Sequence, residues 1–81
     1  MRTETLAIAD IYVPVKRRAT LDAALVAALA ESMLEKGQET PIMVRPDAGR
    51  FVLVEGLHRL EACRALGEQT IKAYVVQVRR H

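Results

Sequence analysis

The stretch of this sequence that could do chemistry is Gly56-Leu57-His58-Arg59, directly after Glu55. The preceding residues 51–54 are apolar, and three of them are branched or aromatic, which predicts a strand. Residues 57–66 carry apolar side chains at the spacing of one helical face, which predicts a helix that ends at Gly67. A helix that begins at a glycine turn leaves its first N–H groups unpaired, and these attract anions. Since an imidazole and a guanidinium stand at the same place, the corner is predicted to bind phosphate.

A plainer interpretation of this corner needs no ligand. Gly56 then only permits a sharp turn, and His58 and Arg59 are solvated surface residues. A single glycine followed by two basic residues is a far weaker motif than a P-loop, so spacing alone favours the plainer interpretation.

Other charged residues are candidates for the same site. Lys16-Arg17-Arg18 could close over the ligand as a second set of cations or contact nucleic acid, and an ordinary charged loop is the alternative. Glu55, at a strand end, could hold Mg²⁺ beside a nucleotide or act as a general base. Glu61 could do the same, but it is predicted to pair with Arg64 on the helix surface.

Composition limits the class of protein. The chain has 81 residues, a net charge of +2 and an apolar fraction of 51%, which predicts one small globular domain over residues 1–81. A single cysteine, Cys63, excludes an internal disulfide and a zinc cluster, and it indicates a reducing, cytoplasmic setting. Cys63 is predicted to be a buried core residue. No apolar stretch approaches the ~20 residues that span a bilayer, so no membrane partner is expected.

Two helices are predicted. The first runs from Leu21 to Lys36, is capped by Thr20 and stops at Gly37; the second is the helix over 57–66. The inner face of the first helix is predicted from apolar residues at four-residue spacing, which are Leu21, Leu25, Leu29 and Met33, with Val26 beside them.

The strands complete a small α+β domain of order β-α-β-β-α-β, in which two helices cover a short mixed sheet. Strands are predicted over residues 6–13, 42–45, 50–55 and 71–78. Residues 42–55 form a hairpin around Pro46-Asp47-Ala48-Gly49. The last strand is predicted to lie inside the sheet, covered on both faces.

Five pieces of the chain, in this order, resemble the ParB/sulfiredoxin-like superfamily, specifically the N-terminal domain of ParB-type partition proteins. The resemblance spans about residues 6–78, and the combination is specific although each piece is weak. The pieces are Arg17-Arg18; the helix 21–36 with Ala-Leu-Ala-Glu-Ser at 28–32; Gly37 followed by Pro41-Ile42-Met43-Val44-Arg45; residues 51–62 around Gly56; and Leu66-Gly67 followed by Ile71-Lys72-Ala73.

The resemblance implies a nucleotide pocket at Gly56. In ParB-type proteins a Gly-Glu-Arg-Arg stretch holds the triphosphate of CTP, and in sulfiredoxins Gly-Cys-His-Arg holds the phosphates of ATP, with the cysteine as catalyst. Some relatives are ATP-dependent kinases of free serine. Gly56 and Arg59 match both groups, His58 matches the sulfiredoxins, and Leu57 matches neither. Leucine cannot act as a thiol nucleophile, so sulfiredoxin chemistry is excluded, and it cannot replace the ParB glutamate.

The resemblance also implies the extent of the site. The backbone N–H groups of residues 57–59 do not depend on the side chain at position 57. The ligand would be CTP or ATP, with Mg²⁺ at Glu55 if a metal is used, and Thr40 stands where ParB-type proteins often have glutamine beside the base. The implied nucleotide-binding residues are Gly56, Leu57, His58, Arg59, Arg17, Arg18, Ser32, Pro41 and Ile42.

Three functions follow from these expectations. The first is a nucleotide-binding switch or interaction module that acts in plasmid or chromosome partition or in transcriptional regulation. Its further expected partners are a second copy of the chain, as a homodimer, and DNA, which it would reach through other domains or partner proteins. The second is a nucleotide-dependent phosphotransferase, NTPase or nuclease. The third is direct DNA binding through Arg17, Arg18, Arg79 and Arg80. We expect residues 1–81 to hold only the ParB N-terminal-like domain, without a helix-turn-helix or C-terminal dimerisation domain of the ParB kind, so that this domain either acts alone as a nucleotide-responsive module or is a fragment of a longer protein.

Overall fold

The computed structural model describes residues 2–38 and 40–77. Its elements confirm the predicted α+β class. The strands are β1 (Arg2–Ala7), β2 (Ile11–Tyr12), β3 (Ile42–Asp47), β4 (Arg50–Glu55) and β5 (Thr70–Val75). The helices are α1 (Val15–Arg18), α2 (Ala23–Lys36) and α3 (Leu57–Ala65), and a 3-10 turn at Ile8–Asp10 separates β1 from β2.

The strands form one five-stranded mixed sheet of order β1-β5-β3-β4-β2. The predicted hairpin is the antiparallel pair of β3 and β4, but its turn is shorter than predicted, because Pro46 and Asp47 belong to β3 and pair with β4. β1 pairs antiparallel with β5. The parallel pairs are β3 with β5 and β2 with β4. β5 therefore lies inside the sheet as predicted, but coverage on both faces was wrong, because Ile71 and Ala73 are buried while Lys72 is exposed.

The single first strand predicted over residues 6–13 is wrong. β1 begins at Arg2 and lies at one edge of the sheet, whereas β2 lies at the opposite edge beside β4. The 3-10 turn between them is held by Ile8, whose N–H donates to the Gln69 carbonyl oxygen at 3.0 Å. Apolar residues from both strands and from the turn enter the same core, so the sequence pattern continues across a change of direction.

The start of the first long helix also differs from the prediction. Asp22, not Thr20, is the N-cap of α2, because its Oδ1 accepts the N–H of Ala24 at 2.9 Å and of Leu25 at 3.4 Å. The Thr20 hydroxyl donates instead to the Arg17 carbonyl oxygen at 2.7 Å. Residues 16–18, predicted as a loop, are part of the one-turn helix α1. The predicted helix end at Lys36 and Gly37 is confirmed.

Only part of the predicted inner face of α2 faces the core. Met33 is buried, and Val26 and Leu29 are half-buried against it, but Leu21 precedes the helix and is 45% exposed. Leu25 is 51% exposed. Residues spaced strictly by four drift around a helix of 3.6 residues per turn, so the buried face follows the spacing of 26, 29, 30 and 33.

The core lies between one face of the sheet and the helices α2 and α3. Its most deeply buried side chains are Ile42, Leu60, Ile71 and Val44. Cys63 lies in this core, 2% exposed, as predicted. Within residues 2–38 and 40–77, no helix combines the length and the apolar character that crossing a membrane requires.

Candidate functional site

The corner between β4 and α3 is built around Gly56. Its backbone is left-handed, with φ of +105° and ψ of 30°. Residues that carry a Cβ rarely adopt this conformation. A Cβ at this position would lie 2.6 Å from Ile42 Cγ2 and 2.9 Å from Ile42 Cβ. Both the backbone conformation and the contact with β3 therefore require glycine, and together they seat the start of α3 on the sheet.

The first turn of α3 opens at this corner. The Leu60 N–H donates to the Gly56 carbonyl oxygen at 2.9 Å, which is the first bond of the helix. The preceding N–H groups, of residues 57–59, have no carbonyl partner within the helix, and Gly56 has no side chain to cap them. Leu57 turns its side chain into the core and is buried. It can therefore contribute only its backbone to a ligand.

A depression of about 390 Å³ lies over this corner. It brings together six of the residues predicted for the site and adds Thr20 and Leu29, which the sequence did not indicate. Its lining is Arg17, Thr20, Leu29, Glu55, Gly56, Leu57, His58 and Arg59. Two guanidinium groups and one carboxylate in this lining make its side-chain charge positive.

The other predicted site residues lie outside this lining. Arg18 faces neighbouring depressions that Arg64 also lines, because successive residues of a helical turn point in different directions. Ser32 lies on the exposed surface of α2. Pro41 is half-buried, and Ile42 is 1% exposed beneath Gly56, where it supports the corner from the core side.

His58 makes an unexpected contact. Its Nε2 accepts a hydrogen bond from the Asp22 backbone N–H at 3.0 Å. Because the partner is a donor, Nε2 accepts this bond with its lone pair, which requires the tautomer that carries its proton on Nδ1. The two residues are 36 positions apart, and no spacing in the sequence could have indicated the contact. His58, predicted as a donor to phosphate, is an acceptor in this structure.

The carboxylates at the corner differ in what they can do. Glu55 is exposed at the end of β4 and belongs to the lining. Glu61 is held by Arg64, with Oε2 and Nε 3.2 Å apart, as the sequence predicted. Among the described residues, no group of three or more His, Cys, Asp or Glu side chains could hold a metal ion. Mg²⁺ at Glu55 would need ligand phosphates and water for its other ligands.

Comparison with known proteins finds a curated relative and several solved structures. A probable chromosome-partitioning protein ParB from Campylobacter jejuni is 34% identical over 65 residues, which cover 80% of this chain and 23% of the relative. The chain thus spans about a quarter of the length of that relative.

Two solved structures share the fold over nearly the whole chain. Sulfiredoxin from Arabidopsis thaliana superposes with a TM-score of 0.86 at 28% identity, covering 96% of this chain and 88% of the sulfiredoxin. The C-terminally truncated chromosome-partitioning protein ParB from Caulobacter crescentus, complexed with CTP-gamma-S, superposes with a TM-score of 0.83 at 28% identity, covering 98% of this chain and 46% of that protein.

The fold is therefore the ParB/sulfiredoxin-like fold that the sequence predicted. The family model described as the ParB N-terminal domain matches residues 1–81. The whole of this chain lies within that match, and the chain belongs to the ParB N-terminal domain family.

Proposed function

We propose that this domain binds a nucleoside triphosphate, CTP or ATP, with its phosphates at the Gly56 corner. The observation that carries the proposal is one depression in which Arg17, Arg59 and the free N–H groups of α3 converge. The N–H groups suit the oxygens of a phosphate, and a guanidinium can add paired, charge-assisted bonds. The Caulobacter relative, whose structure contains CTP-gamma-S, supports the same ligand class.

We infer that the bound nucleotide serves as a switch or interaction signal more than as a substrate. Leu57 stands where the family resemblance places a catalytic thiol or a glutamate, and its own side chain is apolar and buried in the core. Chromosome or plasmid partition, or transcriptional regulation, is the proposed setting, in line with the Campylobacter relative. Homodimerisation and contact with DNA through other domains or partner proteins are part of this proposal.

The test is a titration of CTP, ATP and GTP, each with and without Mg²⁺, by calorimetry and thermal unfolding. A nucleotide at 100 times its Kd should stabilise the fold by about 2.7 kcal/mol, which raises the Tm of a domain this small by roughly 10 °C or more. If none of the three nucleotides shifts the Tm, the proposal is wrong.

A matched pair of variants tests where the phosphates sit. Arg59→Ala should abolish binding, because it removes the guanidinium beside the start of α3. Lys72→Ala also removes one positive charge, but its exposed side chain lies on β5, outside the corner depression. It should bind like the wild type. Equal affinities of the wild type and Arg59→Ala would show that the phosphates bind elsewhere.

Glu55 supports a second candidate function, a nucleotide-dependent hydrolase or transferase. Among the described residues that line the corner depression, Glu55 supplies the carboxylate, and there it could position Mg²⁺ or water. In that case purified protein releases phosphate, and Glu55→Gln stops the release while binding persists. Binding without phosphate release favours the switch.

The alternative of direct DNA binding has less support. Arg17 and Arg18 are neighbours on α1 but line different depressions. Arg79 and Arg80 lie outside the described residues. Direct binding would show an affinity for DNA that falls linearly with the logarithm of salt concentration and does not respond to nucleotide.

A further inference from the structure

A single hydrogen bond joins the starts of the two long helices. The Asp22 N–H, at the N-cap of α2, donates to Nε2 of His58 in the first turn of α3, 3.0 Å away. The Asp22 carboxylate is already used to cap α2 through the N–H groups of Ala24 and Leu25. One imidazole therefore ties the N-terminus of α2, and the segment before it, to the Gly56 corner.

This tie exists only while His58 is neutral. Nε2 must offer a lone pair to the Asp22 N–H, so the ring proton sits on Nδ1. A protonated imidazole has donors at both nitrogens, and its Nε2–H would face another N–H. Because histidine is the residue type whose charge changes between about pH 5 and pH 8, acidification is a direct test of the tie.

The charged groups near His58 come from the elements packed around it. Arg17 of α1 and Arg59 of α3 share its depression with Glu55 of β4. The carboxylate of Asp22, at the start of α2, is held by backbone N–H groups. A polyphosphate in the depression would bring several negative charges beside the ring, and nearby negative charge favours the charged form of an imidazole.

We propose that His58 is a proton-sensitive latch. The neutral ring accepts the Asp22 N–H and keeps the latch closed, and a bound polyphosphate opens it by pairing with the protonated ring. The proposal rests on the proposed nucleotide site. Opening takes a proton from solvent and releases the segment from Arg17 to Asp22 from α3. Ligand binding is thereby coupled to the position of α1 and of the first turn of α2, and His58 acts as a positioning residue.

Proton linkage makes the latch measurable. Binding that takes up one proton becomes at most about tenfold tighter for each unit by which the pH falls. Two variants separate the roles of the ring. His58→Gln keeps an acceptor for the Asp22 N–H but cannot titrate, and His58→Leu removes the acceptor.

The first experiment measures binding of inorganic tripolyphosphate and of CTP by calorimetry, near pH 8 and near pH 7, in buffers of different ionisation enthalpy. The wild type should take up close to one more proton per ligand than His58→Gln, which corrects for protonation of the ligand itself. Its affinity should also rise more steeply than that of His58→Gln as the pH falls. Equal proton uptake and equal pH dependence in the two proteins would overturn the proposal.

The second experiment follows hydrogen exchange of the Asp22 amide by NMR. In the ligand-free wild type this amide should be protected near pH 8 and lose its protection either on acidification or on addition of tripolyphosphate. In His58→Gln it should stay protected in both cases, and in His58→Leu it should be unprotected from the start. Protection that persists in the ligand-bound wild type would contradict ligand-driven opening.

The two experiments also separate this proposal from the one it rests on. If neither tripolyphosphate nor CTP binds, the nucleotide site and the ligand-driven opening are both wrong. Acidification alone then decides whether the latch exists: loss of Asp22 protection in the wild type but not in His58→Gln supports it, and equal protection in both overturns it.

Discussion

At the scale of single residues, Gly56 carries more constraint than its place in a short basic motif indicates. It has a positive φ, and its Cα faces the side chain of Ile42 at the start of β3. Gly67 also has a positive φ, +77°, but a Cβ there would meet no atom within 4 Å. A comparison of alanine substitutions at the two glycines therefore distinguishes the cost of a left-handed backbone from the cost of a steric contact.

Gly56→Ala should destabilise the domain by more than Gly67→Ala. Both substitutions strain a left-handed residue by on the order of 1 kcal/mol. Only Gly56→Ala also forces a methyl group against Ile42. The new Cβ would lie 3.2 Å from the backbone Cα of Ile42, which cannot move aside as a side chain can. Urea unfolding of the two variants gives the comparison, and equal losses of unfolding free energy would refute the role of the Ile42 contact.

Cys63 predicts a dependence of stability on alkaline pH. Burial raises the pKa of its thiol above the ordinary value of 9.0; the nearby Glu68 carboxylate raises it further, and Arg59 lowers it. Because the folded pKa exceeds the unfolded one, the unfolded chain loses its thiol proton first as the pH rises. The stability that this raised pKa contributes is fully present below the pKa of the thiol in the unfolded chain, and it is lost as the pH rises through the pKa of the thiol in the folded protein.

The measurement is the difference in unfolding free energy between the wild type and Cys63→Ala across this range. The difference should be constant below pH 8 and shrink above about pH 9, because the variant has no thiol to ionise. A difference that stays the same from pH 8 to pH 10.5 would show that the thiol ionises equally in both states.

At the scale of elements, the segment before β3 is held by the side chain of Gln38, whose amide group pairs with the backbone of β5. The Gln38 amide accepts the Lys72 N–H at 2.8 Å and donates to the Lys72 carbonyl oxygen at 2.9 Å. It also donates to the Thr40 carbonyl oxygen at 3.1 Å. The connector that composition predicted as merely polar is therefore attached to β5 just before Pro41 and Ile42.

Gln38→Ala should lower the unfolding free energy by about 1–2 kcal/mol, because it removes three hydrogen bonds of which two satisfy the backbone of β5. Gln69→Ala is the matched control: Gln69 is an exposed glutamine directly before β5, and its backbone carbonyl still accepts the Ile8 N–H after the substitution. The control should change stability by less than about 0.5 kcal/mol. Similar effects in both variants would contradict the role of the Gln38 side chain.

At the scale of the whole molecule, the fold has one layer of helices on one face of a five-stranded sheet, and its core is correspondingly thin. Leu60 of α3, 0% exposed, lies between this helix and the sheet, whereas Leu34 of α2 is 73% exposed. The two leucines provide a comparison of the same side chain inside and outside the core.

Leu60→Ala should destabilise the domain by about 2–5 kcal/mol, which is a large part of the stability of a domain this small. Leu34→Ala should change it by less than about 0.5 kcal/mol, because it removes no packed side chain and alanine favours the helix. Thermal or urea unfolding distinguishes them. A small effect of Leu60→Ala would mean that the helix and sheet can close over the missing side chain.

The sequence alone determined the fold class, the hairpin, the C-terminal end of α2, the position of α3, and the glycine corner with its basic residues. These features depend on neighbours in the chain: turn residues, helix caps and the periodicity of apolar side chains. Family resemblance then indicated the ParB/sulfiredoxin-like fold, which the comparisons confirmed. The assignment of the nucleotide-binding residues stays a prediction.

Tertiary structure decided whatever depends on residues far apart in the chain. It divided the first apolar stretch between the two edges of the sheet, because the chain leaves β1 at the 3-10 turn of Ile8–Asp10 and pairs with β4 from Ile11 onward. It exposed Leu21 and Leu25, since packing against α3 selects one face of α2. It also placed Nε2 of His58 where it accepts a hydrogen bond from the Asp22 N–H. A hydrogen bond between residues 36 positions apart leaves no local pattern, and this contact turns a predicted phosphate ligand into a proposed latch.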